Sequence, residues 1–307
     1  MIIARGFVLL LALTTAIHAA AQDASLTLIG EDSPLTNLYN VYAPHILGEK
    51  MWTGGWLIPE HEPEDRIYLS ERVGNDWSTP VIALAEAGAA VNDPSVITVG
   101  SQTLMYFTRL AKDCTPAPDC WFVGNQTGLA VSSDDGDTWD NLGVEIGLDN
   151  GLSACGAWAP SAISVGNEIW VYYHGGLPSY GACEYPLGTV FRTRFDSIQR
   201  QPIDTVRVDL QKPLYNVDVS QRPDGVYVLV ANSLDLTRIH RFTSADGLAW
   251  DSAGTFPISD DLIWKATPHL TWSDATTFEL WTGLAESAED TSSREIHRWR
   301  WQDDQSN

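Results

Sequence analysis

The hydrophobic and polar positions fall into short runs that recur. Five segments begin alike: Asn40–Ile46, Val91–Ile97, Ala157–Ile163, Tyr215–Gln221 and Lys265–Leu270. Each is followed by an aromatic-rich run, at 51–56, 104–108, 169–174, 226–231 and 278–282. A third run follows each of those, at 66–70, 129–132, 188–193, 238–242 and 294–299. The runs are rich in Val, Ile, Tyr, Phe and Trp and are bounded by Gly, Pro, Asn and Asp, so they predict strands. No stretch sustains a helical period; Val81–Ala90 comes nearest and is short. Three or four strands per unit, five times over, predict an all-β fold, a five-bladed β-propeller over residues 38–302. One blade cannot bury both faces of its sheet, whereas five in a ring cover one another. A two-sheet sandwich needs no such repeat and is the weaker reading. Within the N-terminal segment 22–37, Ser25–Gly30 is placed to complete the last blade beside Trp299–Trp301.

A second pattern marks the outer hairpins. Ser132–Trp139 fits S-x-D-x-G-x-T-W, the Asp-box pattern; Ser244–Trp250 is a shortened form and Ser70–Trp77 a degraded one. The residue types suit a turn, with Asp capping backbone amides, Gly taking a positive φ and Trp packing into the blade. These aspartates are structural, not catalytic.

Composition narrows the function. The 307 residues carry 18 Lys+Arg against 40 Asp+Glu, a formal charge of −22, with 13 Trp and 44% hydrophobic residues. A disordered chain is excluded by the apolar content, and a nucleic-acid partner by the charge. Residues 1–21 read as a signal peptide: Arg5, then the apolar Phe7–Ile17, then Ala19-Ala20-Ala21 before Gln22. This predicts a secreted or periplasmic protein with no membrane partner after cleavage. Cys114, Cys120, Cys155 and Cys183 suit an oxidising compartment. Of the three pairings, Cys114–Cys120 with Cys155–Cys183 closes the shortest loops; a zinc site lacks the paired spacing. Asn125-Gln-Thr127 is a glycosylation triplet, and residues 303–307 form an acidic tail.

By fold-level analogy, strand-one starts and the loops between strands two and three share one end of a propeller. Strand-one starts there include Asn40, Tyr42, Asn92, Asp93, Trp158, Asn216, Asp218, Lys265 and His269, and the loops supply His61, Asp65, Arg109, His174, Glu184, Arg238 and Arg294. Asp93 stands before Pro94 in an apolar strand where Asp has poor propensity, and Asp218 is read as its counterpart in the fourth repeat. Two carboxyls aimed into one cavity are what glycosyl transfer requires.

The segments Asn92-Asp93-Pro94-Ser95, Trp158-Ala159-Pro160-Ser161, Val217-Asp218-Val219-Ser220 with Pro223–Tyr227, and Thr267-Pro268-His269-Leu270 resemble glycoside hydrolase family 43, the arabinanases, arabinofuranosidases and β-xylosidases. The resemblance implies a five-bladed propeller and inverting hydrolysis of an oligosaccharide or polysaccharide. It implies Asp93 as general base and Asp218 as the aspartate that tunes the acid. It places the general acid, a Glu in that family, at Ala266. The catalytic set expected is therefore Asp93, Asp218 and a substitute acid, Asp65 first and Glu184 second. The substrate-binding set is Asn92, Trp158, Arg109, His174, Arg238, Lys265, His269 and Tyr42. No metal ligands and no required cofactor are assigned. His45 falls in the blade where the family keeps a His near a central cation, so Ca2+ or another ion in the channel is compatible. Arg66, Arg109, Lys112, Arg238, Lys265 and Arg294 at the site end suggest an anionic glycan, and Trp56, Trp158 and Trp264 suggest stacking on sugar rings. The alternative is a propeller that binds glycans without cleaving them, its acid lost. The sequence leaves oligomeric state open.

Overall fold

The computed structural model describes residues 26–35, 40–56, 64–111, 124–147, 156–175, 189–258, 264–285 and 294–303. The leader at 1–21, all four cysteines, His61, Lys112 and Glu184 lie outside them. Strand β1 (Leu26–Leu35) precedes the first blade, which holds β2 (Asn40–Leu47), β3 (Lys50–Trp56), β4 (Arg66–Val73), β5 (Asp76–Trp77) and β6 (Val81–Leu84). The second blade holds β7 (Ala89–Val99), β8 (Gln102–Ala111), β9 (Asn125–Ser132) and β10 (Asp140–Ile146). The third holds β11 (Ala157–Val165), β12 (Glu168–Gly175), β13 (Val190–Asp196) and β14 (Pro202–Val208). The fourth holds β15 (Tyr215–Gln221), β16 (Tyr227–Asn232), β17 (Ile239–Ser244) and β18 (Asp251–Thr255). The fifth holds β19 (Trp264–Trp272), β20 (Thr277–Ala285) and β21 (Glu295–Asp303), and β1 adds its outermost strand. The strand pairings within all five sheets are antiparallel, and no helix occurs among the described residues. The region nearest to helical period, 81–90, forms β6, a turn and the start of β7.

The inner strands β2, β7, β11, β15 and β19 each contact the next, and β19 contacts β2, so the ring closes. The β1–β21 pairing sets Leu28 opposite Trp301 and Glu31 opposite Trp299. It joins the two ends of the chain in one blade, and Asp32 grips Arg298 across the pair.

Each wedge between blades holds its own apolar cluster. Trp52 and Ile67 meet Met105 and Phe107 between blades one and two. Tyr106 meets Tyr173 and Phe191 between two and three, and Tyr172 meets Phe242 and Trp250 between three and four. Phe256 meets Phe278 and Trp301 between four and five, and Met51 meets Trp281 between five and one. Burial of one such side chain contributes roughly 1.5–3 kcal/mol, so the ring is held mainly by these wedges. The Asp-box hairpins pin the outer corners. Ser132 Oγ donates to Asp134 and accepts from Gly136 N, and Asp134 takes the amide of Thr138 at 2.9 Å. Trp139 then meets Trp52 edge-on at 6.1 Å.

The inner strands share a distortion that builds the site. In each, pairing with the second strand skips: between Tyr42 and His45, Asn92 and Ser95, Trp158 and Ser161, Tyr215 and Val217, and Ala266 and His269. Within each skip one residue takes the left-handed region: Ala43 (φ 50°), Asp93 (47°), Ala159 (47°), Asn216 (49°) and Thr267 (50°). Four of the five precede proline, which disfavours the right-handed helical region for the residue before it. A non-glycine residue held there costs about 1–2 kcal/mol, so five in register are imposed by the surrounding structure. Neighbouring side chains capture the amides around the bulges. Ala43 N donates to Thr267 Oγ1, Ala159 N to Thr108 Oγ1, and Thr267 N to Asn232 Oδ1.

Candidate functional site

The bulges sort the inner-strand residues into tiers. Residues just before them face the open end, the bulge residues form a floor, and those two places beyond face the central channel. Tyr42, Asn92, Trp158 and Tyr215 line a cavity of about 290 Å3 above the floor. Asp93, Asn216 and Thr267 belong to the floor and border both this cavity and the channel beneath. His45, Ser95, Asp218 and His269 line the channel.

This corrects the reading of Asp218 as the counterpart of Asp93. The fourth-repeat residue with the matching conformation is Asn216, and Asp218 lies two places further, one tier down. A strand turns its side chain over at every residue, and the bulge resets that alternation, so spacing in the sequence misplaces the match.

Asp93 is buried, accepts Thr108 Oγ1 at 2.8 Å, and has its carboxyl pushed up to about 7. Burial is the main cause; the Thr108 bond opposes it, and the charge of Asp65 adds to it. Asp65, only 6% exposed, stands before β4 in the same cavity. Its Oδ2 accepts Tyr42 Oη–H at 2.5 Å and Asn92 Nδ2–H at 2.7 Å, while Oδ1 has no hydrogen-bond partner. Burial holds the Asp65 carboxyl above its ordinary range, and the bonds from Tyr42 and Asn92 with the charge of Arg294 oppose this only in part. The guanidinium of Arg294 lies over the Tyr42 ring, 5.7 Å from its centre. Burial, then Asp65 and Asp93, holds the Tyr42 phenol far above its ordinary range, so it stays a donor.

Two glycines let these groups converge. A Cβ on Gly54 would stand 3.2 Å from Asp93 N, and one on Gly283 would stand 3.2 Å from Tyr42 Cα. At Gly55 (φ 128°) it would overlap Asn40 O at 1.8 Å, so no side chain fits there.

The remaining expected residues separate. Trp158 lines the cavity, with His174 stacked behind it at 5.9 Å and Tyr215 beyond at 5.6 Å. His174 does not line the cavity; burial lowers it to about 4, so it packs there as a neutral ring. Arg109 is taken by Glu86, to which it donates from both Nε and Nη2. Arg66 pairs with Glu64 at 3.2 Å. Lys265, 1% exposed, donates to Thr237 O at 3.1 Å and with Arg238 lines a separate cavity of about 240 Å3. The basic residues therefore do not gather into one pocket; among the described lining residues Arg294 is the one cation of the main cavity. Of the stacking residues, Trp56 lines it.

Sequence reasoning left out Thr108, Tyr215 and Asn125 as cavity residues. Asn125 opens β9 and is buried at 7% exposure in the wall, where a glycan could not be attached. The polar residues interrupting the apolar starts of β8 and β9 are the signal that could have found Thr108 and Asn125.

In the channel, Asp218 accepts Ser161 Oγ–H at 3.0 Å and Leu270 N–H at 3.0 Å, and lies 3.2 Å from His269 Nδ1. Burial acts to raise Asp218, but His269, His45 and the Leu270 amide outweigh it and hold the carboxyl below its ordinary range. The channel thus contains His269, expected as a substrate contact, beneath the floor.

No protein-family model matches the sequence, and no curated protein matches it. Solved structures match its fold. A β-xylosidase, RS223, superposes with a TM-score of 0.62 at 13% identity, covering 88% of this chain and 94% of its own. The GH43_1 enzyme from Xanthomonas citri in complex with xylotriose gives 0.63 at 14%, covering 89% and 90%. CoXyl43, a GH43 β-xylosidase/α-arabinofuranosidase from a compost microbial metagenome with xylotriose in calcium-free form, gives 0.63 at 12%, covering 89% and 94%. The chain shares the five-bladed propeller of these family 43 structures.

Proposed function

We propose that the main cavity is the active site of a secreted or periplasmic glycoside hydrolase acting on pentose-containing oligosaccharides or polysaccharides. One observation carries this reading: two buried carboxyls with unlike hydrogen-bonding surroundings, Asp93 and Asp65, line one cavity walled by Trp56 and Trp158. Glycosidic cleavage needs one carboxyl protonated and the other ionised, and unlike environments separate them. Asp93 has a single donor and stays protonated towards neutral pH. Burial raises Asp65 as well, but two donors and a nearby guanidinium oppose it and favour its carboxylate over that of Asp93.

The roles implied by the resemblance are therefore exchanged. Asp93 gives its proton to the leaving oxygen, and Asp65 takes a proton from the attacking water. The water oxygen bonds to the anomeric carbon as the glycosidic bond breaks, and one displacement inverts the configuration. Asp93 thus supplies the proton that the family's Glu, replaced here by Ala266, would give, and Asp65 supplies the base. Asp218 supports the floor through Ser161 rather than moving protons. The flat faces of Trp56 and Trp158 suit sugar rings, and the xylose-bound and xylotriose-bound neighbours favour pentoses. Arg294 offers one contact for an acidic substituent.

The test is a panel of aryl xylosides and arabinosides, xylo-oligosaccharides, arabinan, and xylan with and without uronic-acid branches. Reducing ends are measured, and proton NMR follows the first-formed anomer. Release of inverted sugar, lost in Asp93→Asn, is expected; no release from any member overturns the hydrolase reading. A glycan-binding propeller without turnover is the second reading, favoured by Ala266, and retention on a glycan without new reducing ends decides for it.

A further inference from the structure

The channel holds a cluster that hydrolysis does not use. His45 on β2, Asp218 on β15 and His269 on β19 belong to three blades, and their ligand atoms lie within 4.8 Å of one another. All three are more than nine-tenths buried. The two imidazoles pack together with centroids 4.1 Å apart. Their outer nitrogens are committed: His45 Nε2 meets Val96 O at 2.7 Å, and His269 Nε2 meets Ile46 O at 3.3 Å. A carbonyl only accepts, so each Nε2 carries hydrogen and each Nδ1 of a neutral ring is a lone pair. His269 Nδ1 is buried without a hydrogen-bond partner, yet stands 3.2 Å from Asp218 Oδ2. The contact therefore requires either a proton on His269 Nδ1 or a metal ion between the two atoms.

The supports are those of a metal site. An imidazole N–H on a backbone carbonyl fixes the tautomer and aims the other nitrogen, and a hydrogen-bonded carboxylate is held in place. Ser161 and Leu270 hold Asp218 in this way. Bonds of about 2.0–2.1 Å in a tetrahedron set ligand atoms about 3.3 Å apart, near the His269–Asp218 spacing. The channel cavity of about 30 Å3 has room for one ion or water.

We propose that His45, Asp218 and His269 hold one imidazole-preferring divalent transition ion, of the Zn2+ class, on the ring axis, and that this site rejects Ca2+, an ion the family resemblance leaves compatible with the channel. Calcium takes six to eight oxygens, and imidazole suits zinc and its neighbours. Here two of three donors are nitrogen, and both carboxylate oxygens already accept hydrogen bonds. An ion so placed ties blades one, four and five below the floor. This inference stands apart from the hydrolase reading, since it concerns ion binding alone.

The full mature chain, stripped with a chelator, is titrated separately with Zn2+, Co2+ and Ca2+ by calorimetry and thermal unfolding. One equivalent of Zn2+ is expected, with a Tm that rises with its concentration; Ca2+ gives neither heat nor shift. His269→Asn and His45→Asn each weaken Zn2+ at least about tenfold. Co2+ substitution gives paramagnetically shifted N–H signals from two imidazoles. No stoichiometric Zn2+ binding, an equal response to Ca2+, or undiminished Zn2+ in both variants overturns the proposal. If the variants do not fold, the Co2+ signals of the unaltered chain decide: two shifted imidazole protons support it, and none overturns it, leaving a proton between His269 and Asp218.

Discussion

Tyr42 and Asp65 are joined by a 2.5 Å hydrogen bond from the phenol to the carboxylate, across the open end of blade one. Asn92 of blade two donates to both, at 2.8 Å and 2.7 Å. Two blades are thus tied to a single carboxylate oxygen, and the other oxygen is buried without a hydrogen-bond partner.

Tyr42→Phe removes one of these two donors and leaves the ring in place. Asp65 then loses part of what favours its charged form. The limb of the pH profile of kcat/KM that reports Asp65 should move up by roughly one unit, with a rate loss of about tenfold at acidic pH. An unmoved limb would show that the hydrogen bond does not set the acidity of the base.

Asp93→Asn should lower turnover at least about 1,000-fold while the fold persists. It should also stabilise the protein at pH 8. A carboxyl raised from 3.8 in the unfolded chain to about 7 in the fold keeps its proton longer when folded. Its contribution to stability is complete below about pH 4 and falls as pH rises to about 7. The asparagine removes that loss, a gain of a few kcal/mol at most. Thermal unfolding of both proteins from pH 4 to 8 checks the slope.

Asp218 carries the opposite sign. Its folded value lies below the ordinary one, so its stability is present above about pH 4 and is lost as pH falls through the folded value. Asp218→Asn should flatten acid unfolding in that window and lower stability at pH 7. Urea midpoints at pH 3 to 7 measure both; an unchanged acid limb would remove Asp218 from the account.

Gly247 and Gly225 both have positive φ, 69° and 94°. A Cβ at Gly247 would meet Trp170 and Tyr172 at 2.5 Å, and one at Gly225 meets nothing within 4 Å. Gly225→Ala should therefore cost about 1 kcal/mol from backbone conformation alone. Gly247→Ala should cost about 1–3 kcal/mol more from overlap in the wedge. Equal denaturant midpoints for the two variants would contradict the packing assigned to the shortened Asp-box hairpin.

The strand-period runs, the five repeats and the Asp-box turns were legible because each depends on neighbours a few residues away. Alternation fixes which side chains face a wedge, and Gly, Asn and Asp fix the hairpins. Asp93, Asp65, Asn92 and Tyr42 could be nominated from the sequence because strand starts and second loops share one end of the ring. Which of them meet was decided only by the fold. The bulge at Asn216 sends Asp218 into the channel, and the ring brings His45 against His269 although Ile46 and His269 are 223 positions apart in the chain. Arg109 and Lys265 are taken by Glu86 and the Thr237 carbonyl, which lie in connections between strands. Local pattern determines the blade, because its forces act between sequence neighbours. The tiers, the carboxyl environments and the axial cluster arise only when five blades close, since burial and charge act through space.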